Sequence, residues 1–173
     1  RSRNAGASVT GNDGVYSVDR WVSYVSASSK FTMQQSSTAP AGFKNSVLIT
    51  SSAATSLGSG DYYVFQQTIE GYNVADFGLG ASGASTFTIS FWVRSSLTGT
   101  FGGSVKNKST GADRSYPFTY AISSANTWEQ KTVTISGDTT GTWLSTNGAG
   151  LCVCFGLGVG TTYSGTANTW AGS

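Results

Sequence analysis

Apolar and polar residues alternate with a period of two in run after run of this chain, and almost nowhere with the spacing of a helix. Successive side chains of an extended strand point to opposite faces, so each such run has one apolar side and one water-facing side. The runs are GVYSVDRWVSYV (14–25), KFTMQQS (30–36), NSVLITSS (45–52), DYYVFQQTIE (61–70), STFTISFWVRSS (85–96), GTFGGSVKN (99–107), SYPFTYAIS (115–123), WEQKTVTISG (128–137) and GLCVCFGLGVG (150–160). Turn clusters separate them, including SASS, TAPAG, SLGSG, GLGASGAS, KSTGADR, SGDTTGT and STNGAG. Their residues tolerate positive φ or bond their own backbone. The one stretch with a helical look, NVADFGLGA at 73–81, carries two glycines, and a loop or short 3₁₀ turn is expected there. Short strands about a dozen residues apart predict an all-β fold, an antiparallel β-sandwich of jelly-roll type.

A chain of 173 residues suits one domain spanning 1–173, large enough to bury about 70% of its unfolded surface without disulfide or metal staples. Ser and Thr supply roughly 30% of it and charged residues only 10%, a composition of turns and pleated surface. The net charge of +2, with its ten Lys and Arg scattered, makes no basic stripe, so no nucleic-acid partner is expected. No run of 18 apolar residues occurs, which predicts no membrane insertion. The opening RSRNAGASVT has neither a Met nor a signal-peptide core, and a piece of a longer chain is expected.

Catalysis has little to work with. There is no histidine, hence no imidazole base, metal ligand or pH switch of that kind. Glycoside hydrolysis needs two acids flanking one bond. The candidates are Asp13, Asp19, Asp61, Glu70, Asp76, Asp113, Glu129 and Asp138, and most lie in turn clusters or beside a basic neighbour, as in Asp19-Arg20 and Asp113-Arg114. GLGASG and GLGVGTTYSG resemble phosphate-cradling loops, yet neither opens a helix whose N-terminus would hold a phosphate. No catalytic residue, cofactor or metal ligand is assigned, and a calcium site lacks a dense Asp/Asn run. Cys152 and Cys154, two apart on one strand and pointing the same way, are poorly placed to bridge each other and read as small hydrophobes.

Aromatic residues carry the functional signal. In the 85–96 run, Phe87, Ile89, Phe91 and Val93 share the core side, while Thr86, Thr88, Ser90, Trp92 and Arg94 share the other. A Trp on a polar face needs a cover, and a neighbouring subunit or a loop is expected for Trp92 and Arg94, ahead of an exposed sugar platform. Tyr116, Phe118, Tyr120 and Ile122 share a core face, and of the neighbours Tyr62 and Tyr63 one must look away from Phe65 and Ile69. Trp143, Tyr163 and Trp170 sit in Gly- and Thr-rich loops, where rigid rings make either glycan-binding platforms or plugs over a sandwich end. Ala-Asn-Thr-Trp occurs at 125–128 and 167–170 without matching flanks, which suggests a shared turn or coincidence before duplication. Burying one ring contributes about 1.5 to 3 kcal/mol, against about 4 kcal/mol for millimolar binding, so one platform binds weakly and several copies are needed.

The segments DRW at 19–21, FQQTIEGYNVADF, TFTISFWVRSSLTGTFGGSVKN, RSYPFTYAISSANTWEQKTVTISGDTTGTW and FGLGVGTTYSGTANTW together resemble a family of bacteriophage virion proteins, tail-fibre or appendage domains with a jelly roll similar to carbohydrate-binding modules. The resemblance implies a structural and adhesive role at the virion surface, assembly with other virion subunits as a homo-oligomer, a trimer first, and recognition of host-surface polysaccharide. It carries over no binding residue. The same resemblance accommodates a capsid-decorating or head-fibre protein without receptor function, and a carbohydrate-binding module of a secreted enzyme is the other alternative. Members usually continue past ANTW into a strand that pairs back into the sandwich; without it a sheet edge would lie open to a neighbouring chain.

Overall fold

The computed structural model describes residues 7–108 and 113–172. Part of the KSTGADR turn, residues 109–112, and the first six residues of the chain lie outside that range. Among the described residues the secondary structure is strand and three 3₁₀ turns. The strands are β1 (Val9–Thr10), β2 (Val15–Tyr16), β3 (Trp21–Val25), β4 (Phe31–Ser36), β5 (Ser46–Ser51), β6 (Tyr62–Glu70), β7 (Phe87–Val93), β8 (Gly99–Lys106), β9 (Arg114–Ile122), β10 (Glu129–Ile135), β11 (Ala149–Val159) and β12 (Ala171–Gly172). The fold is all-β with antiparallel sheets, as the alternation predicts. The stretch 73–81 contributes the 3₁₀ turn Ala75–Phe77, preceded by another at Gly71–Asn73.

One run divides. Residues 14–25 form a hairpin, with Val15 opposite Ser23 and Tyr16 opposite Val22. The reversal is closed by Ser17 N–H on the Trp21 carbonyl and Trp21 N–H on that of Val18, with Asp19 at φ 44°. A short polar side chain lets Asp adopt the left-handed region, so no Gly or Pro was needed to mark the turn.

The chain forms two compact units, one of residues 7–67 with Phe155–Ser164, the other of Thr68–Cys154 with residues 165–172, so that β6 and β11 contribute to both. In the first, β1, β4 and β5 make a three-stranded sheet. Its inward side chains Phe31 and Met33 meet Val25 of β3 and Tyr63 of β6, with Ile49 and Phe65 packed against them. Tyr63 is therefore the inward tyrosine; Tyr62 turns away and meets Tyr163 edge to face at 5.2 Å. A second aromatic group gathers Trp21, Phe65 and Phe155.

In the second unit, β7 and β10 pair as a two-stranded layer from Phe87↔Ile135 to Val93↔Glu129. Its inward Phe91 packs on β9, 6.5 Å from Phe118 and 5.1 Å from Tyr120, while Phe87 stacks on Phe77. Phe118, Val105, Ile135 and Cys152 are fully enclosed in this core. At Gly103 on β8, an added Cβ would lie 2.5 Å from the Phe118 ring and 2.7 Å from the Cys154 carbonyl, so the close strand packing there requires glycine.

The outer edge of β9 is covered by the chain itself. Ala171 pairs with Ser115 and Gly172 with Arg114, and Asn168 N–H donates to the Pro117 carbonyl at 2.8 Å. That bond also explains a proline inside a strand. A residue's N and C=O point to the same side of a strand, so Pro117 turns its missing N–H outward, where the neighbour supplies a donor and asks for none. Residues 168–172 thus lie along β9 at Arg114–Pro117.

Candidate functional site

Trp143 and Trp170, both expected as glycan platforms, come together. Their rings cross at 5.4 Å and 88°, and Trp170 lies 5.2 Å from Tyr116 of β9. Each indole N–H is already used within the protein, Trp170 Nε1 donating to the Ser136 carbonyl at 2.6 Å and Trp143 Nε1 to that of Thr140 at 3.1 Å. Both rings are half-buried. This is the plug arrangement: two rings clamp the loop after β10 against the segment that edges β9. The hollow beside Trp143, lined by Val74, Ala75, Leu79, Leu144 and Gly150, holds about 30 Å³, far below the about 300 Å³ at which small-molecule pockets begin.

The same loop is tied down electrostatically. Arg114 of β9 reaches Asp138 through Nε at 2.6 Å and Nη2 at 2.9 Å, and Asp138 is 2% exposed. Burial pushes the Asp138 carboxyl up, yet the guanidinium together with the backbone N–H and hydroxyl of Thr140 brings it below its ordinary value. Buried Asn107 joins the set, its Nδ2 donating to the Thr142 carbonyl and its Oδ1 accepting from Arg114 N–H. Sequence reasoning placed Asp138 in a turn and paired Arg114 with its neighbour Asp113; the partner is instead 24 residues on. Nothing in local spacing signals that partnership.

The two copies of Ala-Asn-Thr-Trp adopt one shape. Asn126 and Asn168 both have positive φ, 58° and 63°. Each donates its backbone N–H to a carbonyl of another segment, Ser95 at 2.6 Å and Pro117 at 2.8 Å, and each copy leads through its Trp directly into a strand, β10 or β12. The shared turn, not duplication of a domain, accounts for the repeat.

Tyr163 belongs to the other unit. It ends the 3₁₀ turn Thr161–Tyr163, touches Tyr62 and remains 60% exposed.

Trp92 sits where the alternation put it. It is 40% exposed, opposite Gln130 on β10, on a face that also presents Thr88, Ser90, Thr132 and Thr134. Its indole meets no ring or hydrogen-bond partner among the described residues. Arg94, next along, donates Nε to the Asn126 carbonyl at 2.8 Å, which fixes it to the first Ala-Asn-Thr-Trp turn.

Three further ionisable groups are held by their surroundings. Glu129 accepts from Lys131 Nζ at 2.6 Å and from Ser123 and Ser124, and these bonds, the lysine's first, hold its carboxyl down at about 2. Burial pushes the Tyr120 phenol up to about 12 and the Cys154 thiol up to about 11. Both cysteines are buried and in no disulfide, as small hydrophobes would be, with Cys152 Sγ 3.5 Å from Thr68 Oγ1. Among the described residues, no three Cys, Asp or Glu side chains gather as metal ligands. Comparison with protein-family models, with curated proteins and with solved structures finds nothing that matches this chain.

Proposed function

We propose that this chain is a bacteriophage virion protein of the tail-fibre or appendage kind, built on a jelly roll, non-enzymatic, acting as an oligomer at the particle surface and contributing to recognition of host-surface glycan. The observation that carries the reading is the outer face of β7 and β10. There a Trp that is 40% exposed stands among hydroxyl and amide side chains. Such a surface suits adhesion to a polyhydroxylated, water-loving polymer, because every polar position can exchange bonds with ligand hydroxyls and the ring supplies the apolar contact. The assembly follows from magnitude. One ring gives about 1.5 to 3 kcal/mol, and linked copies multiply weak contacts by about 10² to 10⁴. A trimer presents three such faces on one particle element.

Imaging the intact particle tests the proposal together with adsorption. Antibody against the chain is expected to label a tail fibre or appendage, and saturating purified protein to compete with the particle for its host. Label confined to the capsid, with adsorption unaffected, would replace it by the decorating-protein alternative. Release of reducing ends from host polysaccharide by the purified chain would overturn the non-enzymatic part.

A further inference from the structure

We infer that the outward face of β7 and β10 is the glycan site itself, a platform for a neutral oligosaccharide with Trp92 as the stacking ring. The inference rests on the adhesive reading above and deepens it by naming the ligand class and the residues that bind it. The face is formed by three cross-strand pairs, Thr88 with Thr134, Ser90 with Thr132 and Trp92 with Gln130, all six side chains exposed.

Three properties of this face select its occupant. None of the six side chains ionises, so nothing in the platform itself calls for a charged ligand; Arg94 has its Nε engaged by the Asn126 carbonyl, and Lys131 of β10 pairs with Glu129. Five of the six carry a hydroxyl or amide. A protein partner would have to satisfy each on burial, and Ser is depleted from interface cores for that reason; a sugar offers a matching array of groups that both donate and accept. The sixth is an indole with an uncovered apolar surface. The C–H face of a pyranose is apolar and weakly electropositive, and the face of an aromatic ring is electron-rich. Same-face positions recur about every 6.8 Å along a strand and about 4.8 Å across the pair, so the hydroxyls lie on a flat lattice beside the ring and not in a pocket. Thr88 and Thr134 hydroxyls stand 3.4 Å apart, close enough to share one ligand hydroxyl between them.

The contrast with the other aromatics sharpens the assignment. Trp143 and Trp170 have given their N–H groups to backbone carbonyls and meet each other edge to face, with Trp170 also against Tyr116. Trp92 has done neither, and in an enclosed core its strand neighbours Phe91 and Val93 take the inward positions.

The test uses the whole protein on an array of neutral oligosaccharides, glucans, galactans, mannans and N-acetylhexosamine oligomers, with anionic oligosaccharides alongside. Wild type is expected to bind members of the neutral set. Trp92→Ala should weaken that binding at least tenfold with an unchanged thermal midpoint and sedimentation coefficient. The double variant Ser90→Val and Thr132→Val, nearly isosteric at Thr132 and leaving the ring in place, should weaken it several-fold, while Tyr163→Ala leaves it unchanged. Wild type binding no glycan would remove the recognition reading as a whole. Glycan binding that survives Trp92→Ala would leave recognition standing and overturn this site. Dissociation of the oligomer by Trp92→Ala would make the face a subunit interface and overturn it as well, and binding to anionic members alone would overturn the ligand class.

Discussion

The guanidinium of Arg114 grips both carboxylate oxygens of Asp138, joining β9 to the loop after β10 with Nε at 2.6 Å and Nη2 at 2.9 Å. Asp138 is 2% exposed and Arg114 keeps 19% of its side chain in water. Removing the cation leaves a buried carboxylate uncompensated, which costs about 3 kcal/mol at the low end of such changes. Arg114→Ala is therefore expected to lower urea-unfolding stability by about that amount with an unchanged m value. Arg114→Lys should recover only part, because an ammonium cannot match the two-pronged geometry. A loss below about 0.5 kcal/mol for Arg114→Ala would show the pair to be no better than a surface contact.

Acid should find the same groups. Asp138 is held below its ordinary value despite burial, and Glu129 is held at about 2 by Lys131 and the serines. A carboxyl whose folded pKa is depressed binds its proton more readily when unfolded. Its stabilisation is present above the unfolded pKa, about 4, and is lost as pH falls through the folded value. Urea midpoints are expected to stay level from pH 7 to about 5 and to fall between about pH 4.5 and 2. The double variant Asp138→Asn, Glu129→Gln should start lower at pH 7 and show a shallower fall over that window. A parallel acid limb in variant and wild type would assign the acid sensitivity elsewhere.

The strands were legible because a period of two survives any tertiary context that buries one face. The run 87–93 shows it, with every odd position turned inward and every even one exposed. What escaped was short or non-local. The turn within 14–25 hinges on Asp19, a single residue in left-handed conformation inside a run that carries no Gly or Pro at the reversal. The strands β1 and β12 have two residues each, too few to carry a period. At the site, strand parity placed Trp92 on the outside with Thr88 and Ser90, but which residues face them across the sheet depends on register with β10, which is 36 or more residues distant in sequence. The loop indoles were harder still: where an N–H finds its carbonyl is decided by how a loop folds back, and composition is silent on that.

The paired turns make a backbone prediction. Asn126 and Asn168 hold φ near +60°, where a Cβ-bearing residue without a short polar side chain is strained by about 1 to 2 kcal/mol. Glycine at either site should be neutral to within about 0.5 kcal/mol, the gain in ease at positive φ offsetting the greater freedom of the unfolded chain. Asn126→Ala and Asn168→Ala should each lose about 1 kcal/mol in denaturant unfolding. The two losses should add, since the turns bond to separate segments, through Ser95 and Pro117. Equal stability of the Ala and Gly variants would mean the dihedral does not limit the turn.

Trp170 separates anchor from platform. Its ring lies against Tyr116 and Trp143 and its Nε1 holds the Ser136 carbonyl, just ahead of the two residues that edge β9. Trp170→Ala removes a half-buried ring and a hydrogen bond together, an expected loss of about 2 kcal/mol. Trp170→Phe keeps most of the ring contact and forfeits the bond, an expected loss of about 1 kcal/mol. Amide exchange at Ser115 and Ala171 should quicken in the alanine variant, because the strand pair they form has lost its clamp. Glycan binding measured well below the unfolding midpoint should be the same in wild type and Trp170→Ala, since this ring is packed against Tyr116 and Trp143 and its N–H is bonded inside the protein. If the alanine variant instead kept its stability and lost glycan binding, Trp170 would be the platform and the clamp incidental.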